Sequence, residues 1–313
     1  MGGMSVILAA VDPQHEPARV LREAVLAARA VQARLVVLHV MPTPWLRHPL
    51  MPWQPDAAQA DPTLEWRLRA GEALAGLARE VAGPAEVAID VRVETGRPDV
   101  VIVEQAESLD AALIVLGAPE AWKAGASGTV AERVVQHAHC PVLAVREGPA
   151  DGPVLAATDL SDPSLPAIAA GSAAAARAGA PLLALHVVDV TQFSMMPAMA
   201  ETMPAVPLPS MWPALADEAR RQLEAALALV DTPAETLVEQ GIPGLAIVET
   251  AVARRARLVV VGTIGATGLR RLLLGSVART VLREAPCSVL VVRLWAPIDP
   301  SAAAAVRVVP KPA

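Results

Sequence analysis

Tyrosine is absent from the 313 residues, phenylalanine occurs once, and lysine occurs only at Lys123 and Lys311. A core without those rings has to be built from aliphatic side chains, and hydrophobic residues, chiefly Ala, Val and Leu, make up 54% of the chain. Such cores suit helices packed closely on a buried parallel sheet. Positive charge is scarce as well. The formal net charge is −6, and arginine carries nearly all of the cationic share. That argues against a nucleic-acid partner, because a phosphate backbone is met by a basic face. Cysteine appears twice, at Cys140 and Cys287. Two thiols in equivalent apolar strands of different halves read as buried groups in a reducing compartment, not as a disulfide framework. The start of the chain is apolar up to Val11 but has no basic stretch and meets Asp12 too early for a secretory leader. Gly2 hints at myristoylation, yet Val6 holds the position that needs Ser or Thr. No run approaches the roughly 18 uncharged apolar residues of a membrane span. The expectation is a cytoplasmic protein with no membrane or nucleic-acid partner.

What the chain does contain is itself, twice. Asp12 follows an apolar run, and Asp159 follows another, 147 residues on. His39-Val40 returns as His186-Val187, Gly128-Thr129 as Gly275-Ser276, Cys140 as Cys287 and Arg146 as Arg293, all with that offset of 147. One offset that holds from the first strand to the last means duplication of a whole domain. Two domains also fit the length, at roughly 100–200 residues each. The turn-forming stretch 147–153 is the expected boundary. The domains are expected at 1–148 and 153–295, followed by a tail at 296–313.

Each half alternates strand and helix. The first half predicts strands at 6–11, 35–40, 87–93, 113–116 and 142–145, with helices at 17–32, 64–81, 98–108 and 128–137. The second predicts strands at 154–158, 182–187, 235–239, 258–261 and 289–292, with helices at 164–178, 212–230, 243–255 and 275–284. Continuous apolar strands separated by helices imply an α/β fold: a parallel sheet with helices on both faces and right-handed crossovers. Five strands in each half fit a doubly wound domain, which binds ligands beyond the carboxyl ends of the strands where the winding reverses.

The most informative stretch runs from Gly262 to Val277. Gly262 closes an apolar strand and Gly275-Ser276 opens a helix, with Gly265 between them. Glycine lets a backbone approach an anion without a Cβ in the way. Ser276 can cap the helix or offer its hydroxyl to a phosphate oxygen, and the helix N-terminus adds partial positive charge. These are the requirements of a phosphate cradle.

The spacing Gly, two residues, Gly, nine residues, Gly-Ser resembles the ATP-binding branch of the universal stress proteins. The flanking features agree: the Asp ending the first strand, the His-Val ending the second, the Gly-x-Pro turn, and the final Cys-x-Val-Leu-x-Val-Arg strand. The resemblance covers about residues 4–147 and 153–294. It implies two tandem domains, each a five-stranded parallel sheet of order 3-2-1-4-5, and it implies ATP, held with magnesium, as the ligand. From the resemblance, Thr158 and Asp159 would lie near the ribose and adenine, and the Val187 backbone would read the adenine edge. Gly262, Thr263, Gly265, Gly275, Ser276 and Val277 would surround the phosphates, with Arg270 or Arg271 adding charge.

The first half departs from this pattern. Gly117 matches, but Glu120 stands where the second glycine belongs, and the segment from Gly117 to Gly128 is two positions shorter than its counterpart. A carboxylate in a phosphate cradle is repulsive, so this site is expected to be degenerate and the first half to be a scaffold or pairing surface. The chain has no Gly-Lys pair of the Walker type and no evident nucleophile–base pair. His39 and His186, recurring at strand ends, read as structural or site-wall groups, and His137 and His139 suit a helix end better than zinc. No catalytic base is identified, so slow ATP hydrolysis is the most that enzymatic activity could amount to. Two segments rich in Pro, Met and Trp, 42–62 and 191–213, follow the second strand of each half. They read as variable loops over the domain or against a partner. The leading expectation is a tandem stress protein that binds ATP through its second domain and regulates a protein partner in a stress response. A non-nucleotide interaction scaffold and a weak ATPase stay open as alternatives. Pairing of the two domains leaves both a monomer and a homodimer open.

Overall fold

The computed structural model describes residues 4–42, 62–84, 87–118, 128–161, 164–189, 208–228, 233–263 and 274–293. The chain divides into two compact units, the first ending at Val145 and the second beginning at Arg146.

The first unit contains β1 (Val6–Ala10), α1 (Pro17–Ala30), β2 (Arg34–Pro42), α2 (Pro62–Ala82), β3 (Ile89–Gly96), α3 (Pro98–Ser108), β4 (Ala111–Gly117), α4 (Val130–His137) and β5 (Val142–Val145). Its strands are all parallel and lie in the order β3-β2-β1-β4-β5. The central strand is apolar at every position because both of its faces are covered: Ile7, Leu8 and Ala9 are completely buried. Val20, Leu21, Ala24, Val25 and Ala28 form the buried stripe of α1, the 3.6-residue period expected of a helix lying on a sheet. Helices α1 and α2 pack together, as do α3 and α4, so each pair covers one face. The chain winds outward from β1 to β3 and then crosses back to β4. The reversal therefore lies between β1 and β4.

The second unit repeats this plan with β6 (Val154–Ala157), α5 (Leu165–Ala178), β7 (Leu182–Asp189), α6 (Leu208–Ala228), β8 (Glu235–Gly241), α7 (Pro243–Ala253), β9 (Leu258–Gly262), α8 (Ser276–Glu284) and β10 (Ser288–Val292). The parallel order is β8-β7-β6-β9-β10. Each unit thus has the expected order 3-2-1-4-5, and in the second the winding reverses between β6 and β9. Pro166 sits in the first turn of α5, and Gly179 ends that helix in the left-handed conformation at φ 59°. Gly171 brings α5 close to the sheet: a Cβ there would stand 2.6 Å from the Ala156 Cβ.

Several boundaries differ from the sequence-based expectation by a few residues, most of all at the start of one helix. Helix α6 begins at Leu208, not 212, and carries Pro213 inside it, close enough to the N-terminus that only an early hydrogen bond is lost. Residues 208–213 of the Met/Pro-rich segment are therefore helical. Most of that segment, its counterpart after β2 and the tail at 296–313 lie outside the described residues. Cys140 and Cys287 form no disulfide and are 2% and 0% exposed. Burial pushes the Cys287 thiol up to about 12.

Candidate functional site

Strands β6 and β9 are parallel neighbours, and their carboxyl ends flank the winding reversal of the second unit. Thr158 and Asp159 follow β6. The Thr158 N–H donates to the Leu185 carbonyl at 3.0 Å, carrying the ladder one step past the strand. Its hydroxyl, buried, lies 2.6 Å from the Ser164 hydroxyl and accepts the Leu160 N–H at 3.0 Å. These bonds fix a tight turn in which Leu160 adopts φ 64°. Asp159 is exposed on that turn, where its carboxylate accepts the Ser161 N–H at 3.1 Å and the Ser161 hydroxyl.

His186 explains its own recurrence. Its Nδ1 lies 3.0 Å from the Thr158 carbonyl, and His39 Nδ1 lies 2.9 Å from the Val11 carbonyl in the first unit. A carbonyl only accepts, so each imidazole carries its proton on Nδ1 and straps the second strand to the turn after the first. Val187 is 8% exposed and pairs with Glu239 of β8. The pairing of β7 with β6 ends at Leu185, so Val187 lies beyond it.

On the other side of the reversal, Gly262 ends β9, and the Thr263 N–H donates to the Val292 carbonyl at 3.0 Å. The Thr263 carbonyl accepts the Gly275 N–H at 2.9 Å, which ties the start of α8 to the end of β9. The first helical bond of α8 runs from Arg279 N to Gly275 O at 3.0 Å. The N–H groups of Ser276, Val277 and Ala278 precede it and have no helical acceptor. Gly275, at the N-cap position, has no side chain with which to cap this end, and the first turn of α8 holds no acidic residue. Gly275 has φ −58° and ψ 153°, which any residue adopts, so its lack of a side chain is not a demand of the backbone. Thr158, Asp159, Val187, Gly262, Thr263, Gly275, Ser276 and Val277 thus gather at the carboxyl end of one sheet. Gly265, Arg270 and Arg271 lie outside the described residues.

The matching place in the first unit is filled from within. The Gly128 and Thr129 N–H groups donate to Glu132 Oε2 at 2.7 and 3.3 Å, and the Glu132 N–H donates to the Thr129 hydroxyl at 3.2 Å. This capping box supplies the donors at the start of α4 with a carboxylate that is 6% exposed. Asp99, equally buried, forms ion pairs with Arg97 at 2.9 Å and Arg133 at 2.8 Å. Burial pushes the Asp99 carboxyl up, but the Arg97 and Arg133 guanidinium groups outweigh it and hold the net value below the usual range. Asp12 behaves alike: burial is outweighed by the Gln14 N–H, by His15 and by His39. Sequence reading missed Glu132 and its partner position. The signal was available, since the offset of 147 that pairs Gly128 with Gly275 also pairs Glu132 with Arg279.

Among the described residues, no group of three or more His, Cys, Asp or Glu side chains comes together as a metal site. Nor is any described helix long and apolar enough to cross a membrane. Residues 4–146 and 152–293 each match the model of the universal stress protein family. A universal stress protein of Methanocaldococcus jannaschii is 37% identical over 143 residues, 44% of this chain and 78% of that protein. One from Mycobacterium tuberculosis is 29% identical over 282 residues, 80% of this chain and 82% of that protein. The crystal structure of an Archaeoglobus fulgidus universal stress protein shares the fold, with a TM-score of 0.63 at 19% identity over 92% of this chain and 96% of that one. The chain belongs to the universal stress protein family and carries two copies of its domain in tandem.

Proposed function

We propose that the second unit binds an adenine nucleotide, ATP with magnesium held through its phosphates, and that the chain acts as a nucleotide-responsive regulator of a protein partner in a stress response. The observation that carries this reading is the start of α8. Three backbone donors without helical acceptors, no acidic residue in the first turn and a side-chain-free Gly275 stand at the winding reversal of a parallel sheet. Anions are favoured at such a terminus. Ser276 and Val277 would hold the phosphates. Asp159, exposed on the adjoining turn, would accept from ribose hydroxyls, and the Val187 backbone would meet the adenine edge. The two buried thiols suit a reducing, cytoplasmic setting.

A scaffold role is favoured for the first unit alone, because the Glu132 carboxylate already satisfies Gly128 and Thr129. One nucleotide per chain is therefore expected. Calorimetric titration of the full chain with ATP and magnesium tests this, alongside Gly275→Val, whose φ of −58° valine adopts without strain. Binding near one equivalent, lost in a variant that melts like the wild type, supports the reading. No binding at millimolar ATP, with no nucleotide co-purifying, overturns it and leaves the scaffold.

A further inference from the structure

Arg146, which opens the second unit, takes no part in the site above. Its guanidinium donates to the Ala285 carbonyl at 2.7 Å and to the Leu282 carbonyl, both at the end of α8. The last carbonyls of a helix lack helical donors. For Leu282 the donor would come four residues on, and Pro286 there has no N–H. Arg146 supplies it from 136 residues upstream and sets a cation at the negative end of the helix dipole. Its main chain is tied to β10 as well. The Arg146 N–H donates to Ser288 Oγ at 3.1 Å, and the Ser288 hydroxyl donates to the Arg146 carbonyl at 3.3 Å.

From there the chain passes over Cys287. A Cβ on Gly148 would stand 2.8 Å from the Cys287 Cβ and 3.0 Å from its Cα, so the main chain lies directly on the buried cysteine. The next anchor is Gly152, buried against the Arg255 carbonyl. Between the anchors, Glu147, Gly148, Ala150 and Asp151 are exposed, and no helix or strand includes them. The segment carries no large apolar side chain. Burial pulls the Arg146 guanidinium below its ordinary value, a sign of the solvation it gives up in this position. A segment with so little apolar burial is where local opening begins, and α8, nine residues long, is too short to keep its last turn without outside donors. We infer that residues 146–152 are a strap that opens as a unit. Closed, it completes the end of α8 and covers Cys287. Open, it frays the last turn of α8 and brings the thiol into water while the rest of the second unit stays folded. Ser288 begins β10, so the strap lies at the amino end of the sheet, opposite the carboxyl end on which the nucleotide reading rests. The two are tested independently.

Cys287 reports the strap, and Cys140, in the first unit, is the reference. The folded full chain is labelled with excess N-ethylmaleimide, from no urea to just below the unfolding transition, and each cysteine is followed by mass spectrometry. In the wild type the Cys287 rate is expected to change little with urea, because a strap exposes little surface, whereas global unfolding exposes much and gives a steep climb. Arg146→Gln removes the charge at the end of α8, and Gly148→Ala adds the methyl that meets Cys287. Each is expected to speed Cys287 labelling about tenfold, the worth of a charge-assisted hydrogen bond, and to leave Cys140 as it was. The Ala285 amide, bonded to the Val281 carbonyl at 3.0 Å, should exchange faster in step. A wild-type Cys287 rate that climbs with urea as steeply as global unfolding does, or equal Cys287 rates in the wild type and both variants, overturns the inference. If either variant fails to fold, the wild-type urea dependence still decides.

Discussion

The Gly275 N–H reaches the Thr263 carbonyl oxygen at 2.9 Å, so the glycine that opens α8 spends its own donor on the end of β9. The sequence spacing had suggested Gly275 as part of a phosphate cradle, and its position suits that. Its amide, however, positions the helix, and the donors left over belong to Ser276, Val277 and Ala278. Amide hydrogen exchange separates the two jobs. In the ligand-free protein, Gly275 is expected to exchange slowly and Ser276 and Val277 fast. Added ATP should protect Ser276 and Val277 and leave Gly275 as it was. A Gly275 amide exchanging as fast as its two neighbours would contradict the tie to Thr263.

Leu160 carries strain next to Asp159. A left-handed residue with a side chain costs about 1 kcal/mol or more, and Leu160 sits at φ 64°. The surrounding bonds from Thr158, Ser161 and Asp159 hold it there. Leu160→Gly is therefore expected to stay within about 1 kcal/mol of the wild type, relief of strain offsetting the greater freedom of the unfolded chain. Leu160→Val, β-branched and least tolerant of positive φ, should lose about 1 kcal/mol or more. Urea unfolding of the pair measures the difference. Equal stability of the two variants would mean that the turn is unstrained.

The fold was legible because its signals are redundant. Apolar runs such as Val6–Ala10 are buried on both faces, and their spacing by helices leaves few topologies, so the strand order followed. The site was legible only where a motif marks it. Gly262 and Gly275 stand out in any reading, whereas the exchange of Glu132 for Arg279 is visible only when the repeats are aligned position by position. The exchange of a buried ion pair for close packing was harder still. Asp99 meets Arg133 between α3 and α4, while between α7 and α8 a Cβ on Gly244 would stand 2.8 Å from the Thr280 Cβ. Both solutions join the same pair of helices, and no local pattern announces either one.

The Asp99 cluster makes the first unit sensitive to acid. Its folded carboxyl value is held below the usual range, with burial opposed and outweighed by Arg97 and Arg133. At low pH the unfolded chain then binds a proton that the folded chain refuses, so stability rises with pH through this window. The contribution is fully present above the unfolded value of about 3.9 and is lost as pH falls through the lower folded one. Asp99→Asn should cost about 1–3 kcal/mol at pH 7, where Arg133 loses its partner. It should also flatten the acid limb of a stability–pH curve measured by urea unfolding from pH 7 to pH 3. An unchanged acid limb would show that Asp99 is not the group responsible.

Gly152 sets the last expectation against a common assumption. The stretch 147–153 reads as a boundary of turn formers, and boundaries usually tolerate substitution. In the second unit a Cβ on Gly152 would stand 1.8 Å from the Arg255 carbonyl oxygen, 3.0 Å from its carbonyl carbon and 3.1 Å from Arg257 N. All three atoms are backbone. The same stretch is pinned further by the Arg257 N–H, which donates to the Pro153 carbonyl at 2.9 Å. No flexible side chain can yield, so Gly152→Ala should cost about 3 kcal/mol or more. Gly179→Ala is the control. It meets nothing within 4 Å and suffers only from its φ of 59°, which should cost about 1 kcal/mol. Thermal unfolding of the two variants ranks them directly. If Gly152→Ala proved as mild as Gly179→Ala, the approach of the α7–β9 turn to the entry of β6 would have to be looser than 1.8 Å allows. The stretch would then be the spacer its composition suggests.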